Sequence, residues 1–428
     1  MSGQSLPRGG RTAEEGARPD TSAPGARLAG SVGPDGGITV EVLAAALMGL
    51  AGVGPVRCRG LLRALLPGRS PSQAWAAFLQ GACAGAIISA TGGGSWVGEA
   101  RRQARAVDPA AIARLCARRS IGILATGSTG YPPEFTLDPE GPAAIFFRGS
   151  ADVLAQRPRV AMIGTRSATG GGCDVARDLA RGLARRGVVV VSGMAIGIDA
   201  AAHAGALEAG RLTCGKSRGN AGGRLPEAAP TIAVLAGGVD VVYPRRHGPL
   251  YDSITRTGIA ISEAPPGTPP EAWRFPVRNR LMAMLADVVV VVESADKGGS
   301  MRTVEAALNR GVTVMAVPGS VRNPAARGTN SLLADGCPPC RDVDDVVAAL
   351  SLMGRPCTRP PAPVAPPAQS RLDPDEEDII RHVGWEPTAV GEVVARSGVR
   401  AARVIAVLER LAERGRVRCG AGWWERVG

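Results

Sequence analysis

The stretch RFPVRNRLMAMLADVVVVVE, residues 274–293, decides the fold. Its second half sets five consecutive valines between Asp287 and Glu293. A short, β-branched run without polar alternation reads as a strand buried on both faces, since a half-exposed strand would alternate. The first half places Arg274, Arg278, Asn279 and Arg280 in what reads as a loop beside that strand. Concentrated positive charge next to the most apolar segment needs a functional reason.

Similar runs recur on either side: RVAMIG (159–164), VVVVSG (188–193), TIAVLAGG (231–238), GIAISE (258–263) and VTVMAVPG (312–319). Helix-length segments such as Asp174 to Arg186 and Asp199 to Ala209 separate them. The alternation predicts an α/β fold, an extended Rossmann-like doubly wound sheet that is mostly parallel. In such a sheet the loops leaving the carboxyl ends of the strands gather on one rim, where ligands bind. Those loops here are GTRSATGGG (164–172), SGMAIGID (192–199), AGGVDVVYPRR (236–246), the segment with WRFPVRNR, ESADKGGS (293–300) and PGSVRNPAARGTN (318–330). All are rich in Gly, Ser, Thr, Asn or Arg, whereas reverse connections such as RRG (185–187) and NRG (309–311) are short and plain.

Glycine lets backbone approach a ligand, and helix N-termini offer free N–H groups to an anion. Ser300 and Thr303 stand where a helix running to Arg310 begins, and Ser192 with Gly193 closes the second strand. Arg166, Arg278 and Arg280 supply planar, bidentate donors suited to phosphate. Together these describe an anionic ligand site. Tyr243, Trp273 and Phe275 add aromatic faces on which bases stack, although Tyr243-Pro244 would serve equally to shape its loop. His203 either faces the site or packs in a helix, and His247 and His382 read as surface residues. The pattern G-x-x-x-x-G-K-[ST] is absent, GTRSATGG is not G-x-G-x-x-G, and no H-E-x-x-H occurs. P-loop ATP hydrolysis is therefore unsupported, a dinucleotide is a weak reading, and neither cofactor nor metal is expected.

The net charge of +12 and pI near 10 suit a polyanionic partner. Arginine carries nearly all of it, Lys216 and Lys297 being the only lysines, so the positions of the arginines matter more than their total. Nine cysteines, an odd number without a framework, point to a reducing cytoplasm. Cys337-Pro-Pro-Cys340 is the one close pair and reads as incidental loop cysteines rather than a metal or redox site. VLAAALMGLAGVGPV (42–56) is too short to span a bilayer, so no membrane insertion is expected. Composition divides the chain into a disordered tail (1–37), a helical block (38–120), the Rossmann-like block (121–352), a Pro-rich linker (353–370) and a last block (371–428). The last block reads as three helices and a hairpin, a winged helix that binds DNA or a protein partner. Its third helix places Val404, Val407, Leu408 and Leu411 on one face, and Arg400, Arg403 and Arg410 are available to a duplex backbone. The Gly-Val-Gly turn within 47–65 is read as a helix-hairpin-helix or a plain helical turn, the plain turn preferred.

SGMAIGIDAAAH (192–203), TIAVLAGGVDVVYPRRH (231–247), FPVRNRLMAMLADVVVVVE (275–293), GGSMRT (298–303) and VPGS…GTNSLLADG (317–336) follow one another as in the DNA-processing protein A (DprA/Smf) family. GYPPEFTLDPEGPAAIFFRG (130–149) is similar to that family's lead-in. The resemblance covers about residues 121–350. It implies a single-stranded-DNA-binding mediator that protects incoming DNA and loads RecA recombinase in natural transformation, dimerises through the Rossmann-like domain and has no enzymatic turnover. It implies DNA contacts at Arg166, Ser192, Gly193, Arg278, Arg280, Lys297 and Ser300; the same loops add Tyr243, Asn279, Gly299, Arg302, Thr329 and Asn330 to the candidate set. Three features depart from the family pattern: Ile196 replaces a usual Arg, Arg302 is unexpected, and residues 210–230 form an insertion with Lys216. Loss of the cation at 196 implies weaker binding that Arg302 would offset. An alternative is a nucleotide phosphoribohydrolase of the Lonely Guy type, whose Gly-rich acidic loop GGSMRTVE loosely resembles, with Glu305 as the candidate acid.

Overall fold

The computed structural model describes residues 37–92, 94–214, 229–357, 372–420 and 422–427. The tail expected to be disordered, most of the 210–230 insertion including Lys216, and most of the Pro-rich linker lie outside the described residues. The central sheet has eight strands: β1 (Gly122–Ala125), β2 (Ala144–Gly149), β3 (Arg159–Ile163), β4 (Val189–Ser192), β5 (Thr231–Val234), β6 (Ile259–Ser262), β7 (Val288–Val291) and β8 (Thr313–Ala316). Their spatial order is β1-β2-β6-β5-β4-β3-β7-β8. β3 to β8 run parallel, while β1 and β2 join antiparallel at the β6 edge.

The valine run works by alternation between two cores. Val288 and Val290 pack with Val160, Met162 and Val190 against the Gly170–Arg185 and Ile198–Cys214 helices. Val289 and Val291 face the opposite way, with Ala161, Ile163 and Val191, against the Arg274–Leu285 and Met301–Leu308 helices. Every position of β7 is buried, which is why no polar residue interrupts it. Successive side chains of a strand point to opposite faces, so a strand covered by helices on both sides must be apolar throughout.

The FPVRNR segment is helical, not a loop: the Arg274–Leu285 helix carries it straight into β7. Pro276 sits in the first turn of that helix, where N–H groups lack intrahelical acceptors and proline is tolerated. The helical block at 40–118 shares its apolar core with the sheet, Leu43, Leu61 and Phe78 belonging to one cluster with Ile123, Phe146 and Ala233. Arg59, buried on the Pro55–Leu65 helix, ties the two by donating to the carbonyls of Phe135, Asp138 and Pro139. Among the described residues no single helix is long and apolar enough to cross a membrane.

The last block has three helices, Pro374–His382, Val390–Ser397 and Ala401–Glu413, with a three-stranded sheet of β9 (Thr388–Ala389), β10 (Val417–Gly420) and β11 (Trp423–Arg426). Val404, Val407, Leu408 and Leu411 are buried together, as the helical spacing required. This is a winged helix. Its hairpin rests on the start of the Gly170–Arg185 helix, where Arg418 pairs with Asp174 across the two units.

Candidate nucleic-acid interface

From β3 the chain adds β4, β5 and β6 in one direction, then returns to place β7 on the other side of β3. The loops after β3 and β7 therefore diverge, and a crevice opens beyond their carboxyl ends, at the switch point where open α/β sheets bind ligands. Pairing continues past the strands: Val292 N–H donates to Ile163 O at 3.1 Å and Thr165 N–H to Glu293 O at 2.7 Å. Glu293 also accepts from the backbone N–H of Thr169 at 2.8 Å and from its hydroxyl at 2.6 Å. Both loops are thus fixed relative to the sheet before any ligand arrives.

The crevice is a cleft of about 620 Å³ lined by Arg166, Tyr243, Arg278, Asn279, Lys297, Gly299, Ser300 and Arg302. Side-chain pairing divides its cations into two kinds. Arg166, Lys297 and Arg302 are exposed, and among the described residues no carboxylate binds them. Arg166 lies over the Phe275 ring, 4.6 Å from its centroid, and Phe275 contacts Tyr243 at 5.7 Å, so one wall is aromatic and cationic together. Arg278 is only 4 % exposed. It donates to Val234 O across Gly193, where a Cβ would meet its Nη1 at 1.9 Å. Burial pulls its pKa down to about 10, opposed by the nearby Asp199, so it stays charged at neutral pH. Its Nε and the Thr303 hydroxyl are buried beside the cleft without a hydrogen-bond partner.

The Gly-Gly turn after β7 is pinned by its own backbone, Gly298 N–H donating to Ala295 O and Met301 N–H to Gly298 O, both at 3.0 Å, and by its neighbours. Asn279 Nδ2 donates to Gly299 O at 3.2 Å, and the Ser294 and Ser300 hydroxyls bond to each other at 2.7 Å. Gly299 itself has open space around its Cα.

Four of the expected contacts sit elsewhere. Arg280 forms an ion pair with Glu263 at 2.7 Å and does not line the cleft. Ser192 is buried and donates to Met162 O at 2.6 Å. Thr329 is buried and donates to Ala326 O, while Asn330 bonds both the N–H and the carbonyl of Gly319. These four hold the rim's shape instead of facing its opening. Gly193 is a fifth that does not line the cleft; it lines a second, smaller slot behind the aromatic wall, which Tyr243 shares with the cleft.

Sequence reasoning missed Asp199, a buried carboxyl in the cleft floor whose pKa burial raises, with Arg278 opposing. The residues gave no sign of it beyond an acid at the start of a helix. His203 is a packing residue: fully buried, its Nδ1 lies 2.9 Å from the Thr231 hydroxyl, and burial lowers its pKa to about 3. His247 is half-buried, with Nδ1 3.0 Å from Met194 O, not a free surface residue. Cys340 is buried and its thiol pushed up to about 12, the opposite of what a thiolate ligand or redox pair needs. Glu305 is exposed and outside the cleft. On the winged helix, Arg403 pairs with Asp375, and Arg410 with Asp373 and Glu376, which leaves Arg400 exposed.

A family model for DNA recombination-mediator protein A matches residues 122–351, and one for the DprA winged helix domain matches 361–422. The putative DNA processing protein DprA of Mycobacterium tuberculosis (strain CDC 1551 / Oshkosh) is 36% identical over 285 residues, 66% of this chain and 68% of its own. Protein Smf of Escherichia coli (strain K12) is 31% identical over 313 residues, 71% of this chain and 77% of its own. The X-ray structure of DNA processing protein A from Streptococcus pneumoniae superposes with a TM-score of 0.60 at 25% identity, over 73% of this chain and 98% of that one. A Rossmann-like sheet with a guanidinium-lined switch point and an appended winged helix, matched in this way, defines a DNA-processing recombination mediator. The chain belongs to the DNA processing protein A (DprA/Smf) family.

Proposed function

We propose that this protein binds single-stranded DNA along the cleft between the β3 and β7 loops, without regard to sequence and without turnover. In this reading it protects incoming strands, loads RecA recombinase onto them during natural transformation, and acts in the cytoplasm as a homodimer joined through the Rossmann-like domain. The observation that carries the DNA reading is the grouping of three unpaired cations, Arg166, Lys297 and Arg302, with an aromatic wall on one rigid rim. A flexible polyanion with exposed bases needs both features. The RecA, dimer and compartment components follow from kinship with the family.

Anisotropy titrations of a labelled single strand at two salt concentrations test the binding. Each phosphate neutralised contributes roughly −0.7 to the slope of log affinity against log salt. Replacing Arg166, Lys297 and Arg302 together by Ala should flatten that slope by about 2 and weaken binding roughly tenfold or more. Arg280→Ala, which breaks only the pair with Glu263, should bind as the wild type does. An unchanged slope in the triple variant defeats the assignment.

A further inference from the structure

The loop after β3 ends against the winged helix. Arg166 belongs to that loop, and four residues further on, a span of at most about 14 Å, Gly170 opens the Gly170–Arg185 helix. In a doubly wound sheet the negative group of a ligand at the switch point sits at the start of the helix after the first strand, where N–H groups lack intrahelical acceptors. Here the winged helix covers that place. A Cβ on Gly170 would lie 2.1 Å from Glu425 Oε1, and one on Gly171 would lie 3.7 Å from Trp385 O. One turn along, Asp174 pairs with Arg418, whose Nε also lies 3.3 Å from Glu425 Oε1. The hairpin thus sets a carboxylate, braced by one guanidinium, over three glycines just outside the cleft.

Charge does not bring the winged helix to the rim as an extra grip on a polyanion. Residues 371–428 hold ten arginines and ten acidic residues, no net charge in a chain of +12, and Arg403, Arg410 and Arg418 are all paired. We infer that the docked hairpin is an autoinhibitory plug, which closes the outer end of the strand cleft and which a bound strand displaces. The inference rests on the single-strand reading above and adds its regulation. The plug is built to be removable. Its ionic fastening is one partly exposed pair, the Arg418 and Asp174 side chains being 40 % and 18 % exposed, and such pairs hold weakly. Asp174 and Glu293 both act against the charge of Glu425, so one guanidinium serves a crowd of carboxylates. Arg418 and Glu425 leave together, so undocking changes access to the glycines rather than the charge around them. Linkage is reciprocal: the factor by which undocking raises strand affinity is the factor by which the strand favours undocking.

The test uses the full chain and a labelled oligothymidylate. Arg418→Glu adds a further carboxylate to the junction and should release the hairpin. The substitution makes the chain less positive, so charge alone gives weaker binding, whereas loss of the plug gives binding about fivefold tighter or more. Arg418→Glu combined with Asp174→Arg rebuilds the pair in reverse and should return the affinity to near that of the wild type. In the wild type, saturating strand should speed hydrogen exchange at residues 417–426. Binding by Arg418→Glu that is equal to or weaker than wild type overturns the plug, as does a charge-swapped chain that stays tighter. Exchange at the hairpin that the strand leaves unaltered overturns it too, and that measurement decides alone if Arg418→Glu fails to fold. A wild-type protein that binds no strand at low salt instead overturns the parent reading, so the two failures are told apart.

Discussion

Arg278 and Arg280 stand two residues apart in sequence and about 200° apart around a helix, which is why one floors the cleft and the other pairs with Glu263. Read as a loop, the same letters would allow both to face a ligand. Guanidinium groups are visible in a sequence, whereas the carboxylates that claim them are not. Lys297, Arg166 and Arg302 could be recognised as candidates, yet only the coordinates distinguish them from Arg280. His203 makes a titratable prediction at this scale. Buried and neutral, its folded pKa of about 3 lies below the unfolded value near 6.5. Its share of stability is complete above pH 6.5 and is lost as pH falls toward 3. By pH 5 the loss is about 2 kcal/mol, since each unit is worth about 1.4 kcal/mol. Asp199, with its raised pKa, acts with opposite sign, because its penalty grows as pH rises. Urea melts of wild type and His203→Gln at pH 7.5 and pH 5 separate the two. The variant should lose markedly less on acidification, and parallel losses would remove His203 from the account.

Single elements were legible where their patterns were uniform. The valine runs of β4 and β7 and the stripe of Val404, Val407, Leu408 and Leu411 needed no tertiary information, because burial on both faces or on one stripe is written directly in their spacing. β1 and β2 were not anticipated. Gly122–Ala125 follows closely on a helix and is only four residues long, and the connection from β1 to β2 carries only the short Pro133–Leu137 helix, unlike the long helices that marked the others. Close helix packing was equally hidden. On the Ile198–Cys214 helix, Gly205 approaches the Gly170–Arg185 helix so nearly that a Cβ would lie 2.1 Å from Arg177 O. Alanine is the better helix former by about 1 kcal/mol, but overpacking costs about 1–3 kcal/mol. Gly205→Ala should therefore lower unfolding stability by up to about 2 kcal/mol in a denaturant melt; a gain would show that the helices separate freely.

At the scale of the whole molecule, the winged helix is joined to the sheet by more than its linker. Gly170, at the start of its helix, lies against the hairpin: a Cβ there would meet Glu425 Oε1 at 2.1 Å and the Arg418 guanidinium at 3.2 Å. Both nearest neighbours are the flexible ends of winged-helix side chains, so Gly170→Ala should turn Glu425 and Arg418 aside and loosen the Arg418–Asp174 pair while leaving its own domain intact. Hydrogen exchange should then accelerate together at residues 170–174 and 417–426, with β3 and β7 as protected as before; unaltered protection at the hairpin would show that the contact is dispensable. No sequence pattern announced this contact, because it joins residues 244 apart. The return of β7 to the far side of β3 has a further consequence for synthesis. Until Val288–Val291 leaves the ribosome, β3 presents a bare parallel edge, and the loop bearing Arg166 faces no opposing turn. A nascent chain in that condition is adhesive toward its own kind before it can grasp a polynucleotide, so translation pausing shortly before that segment would be met as a proteostasis burden rather than as premature activity.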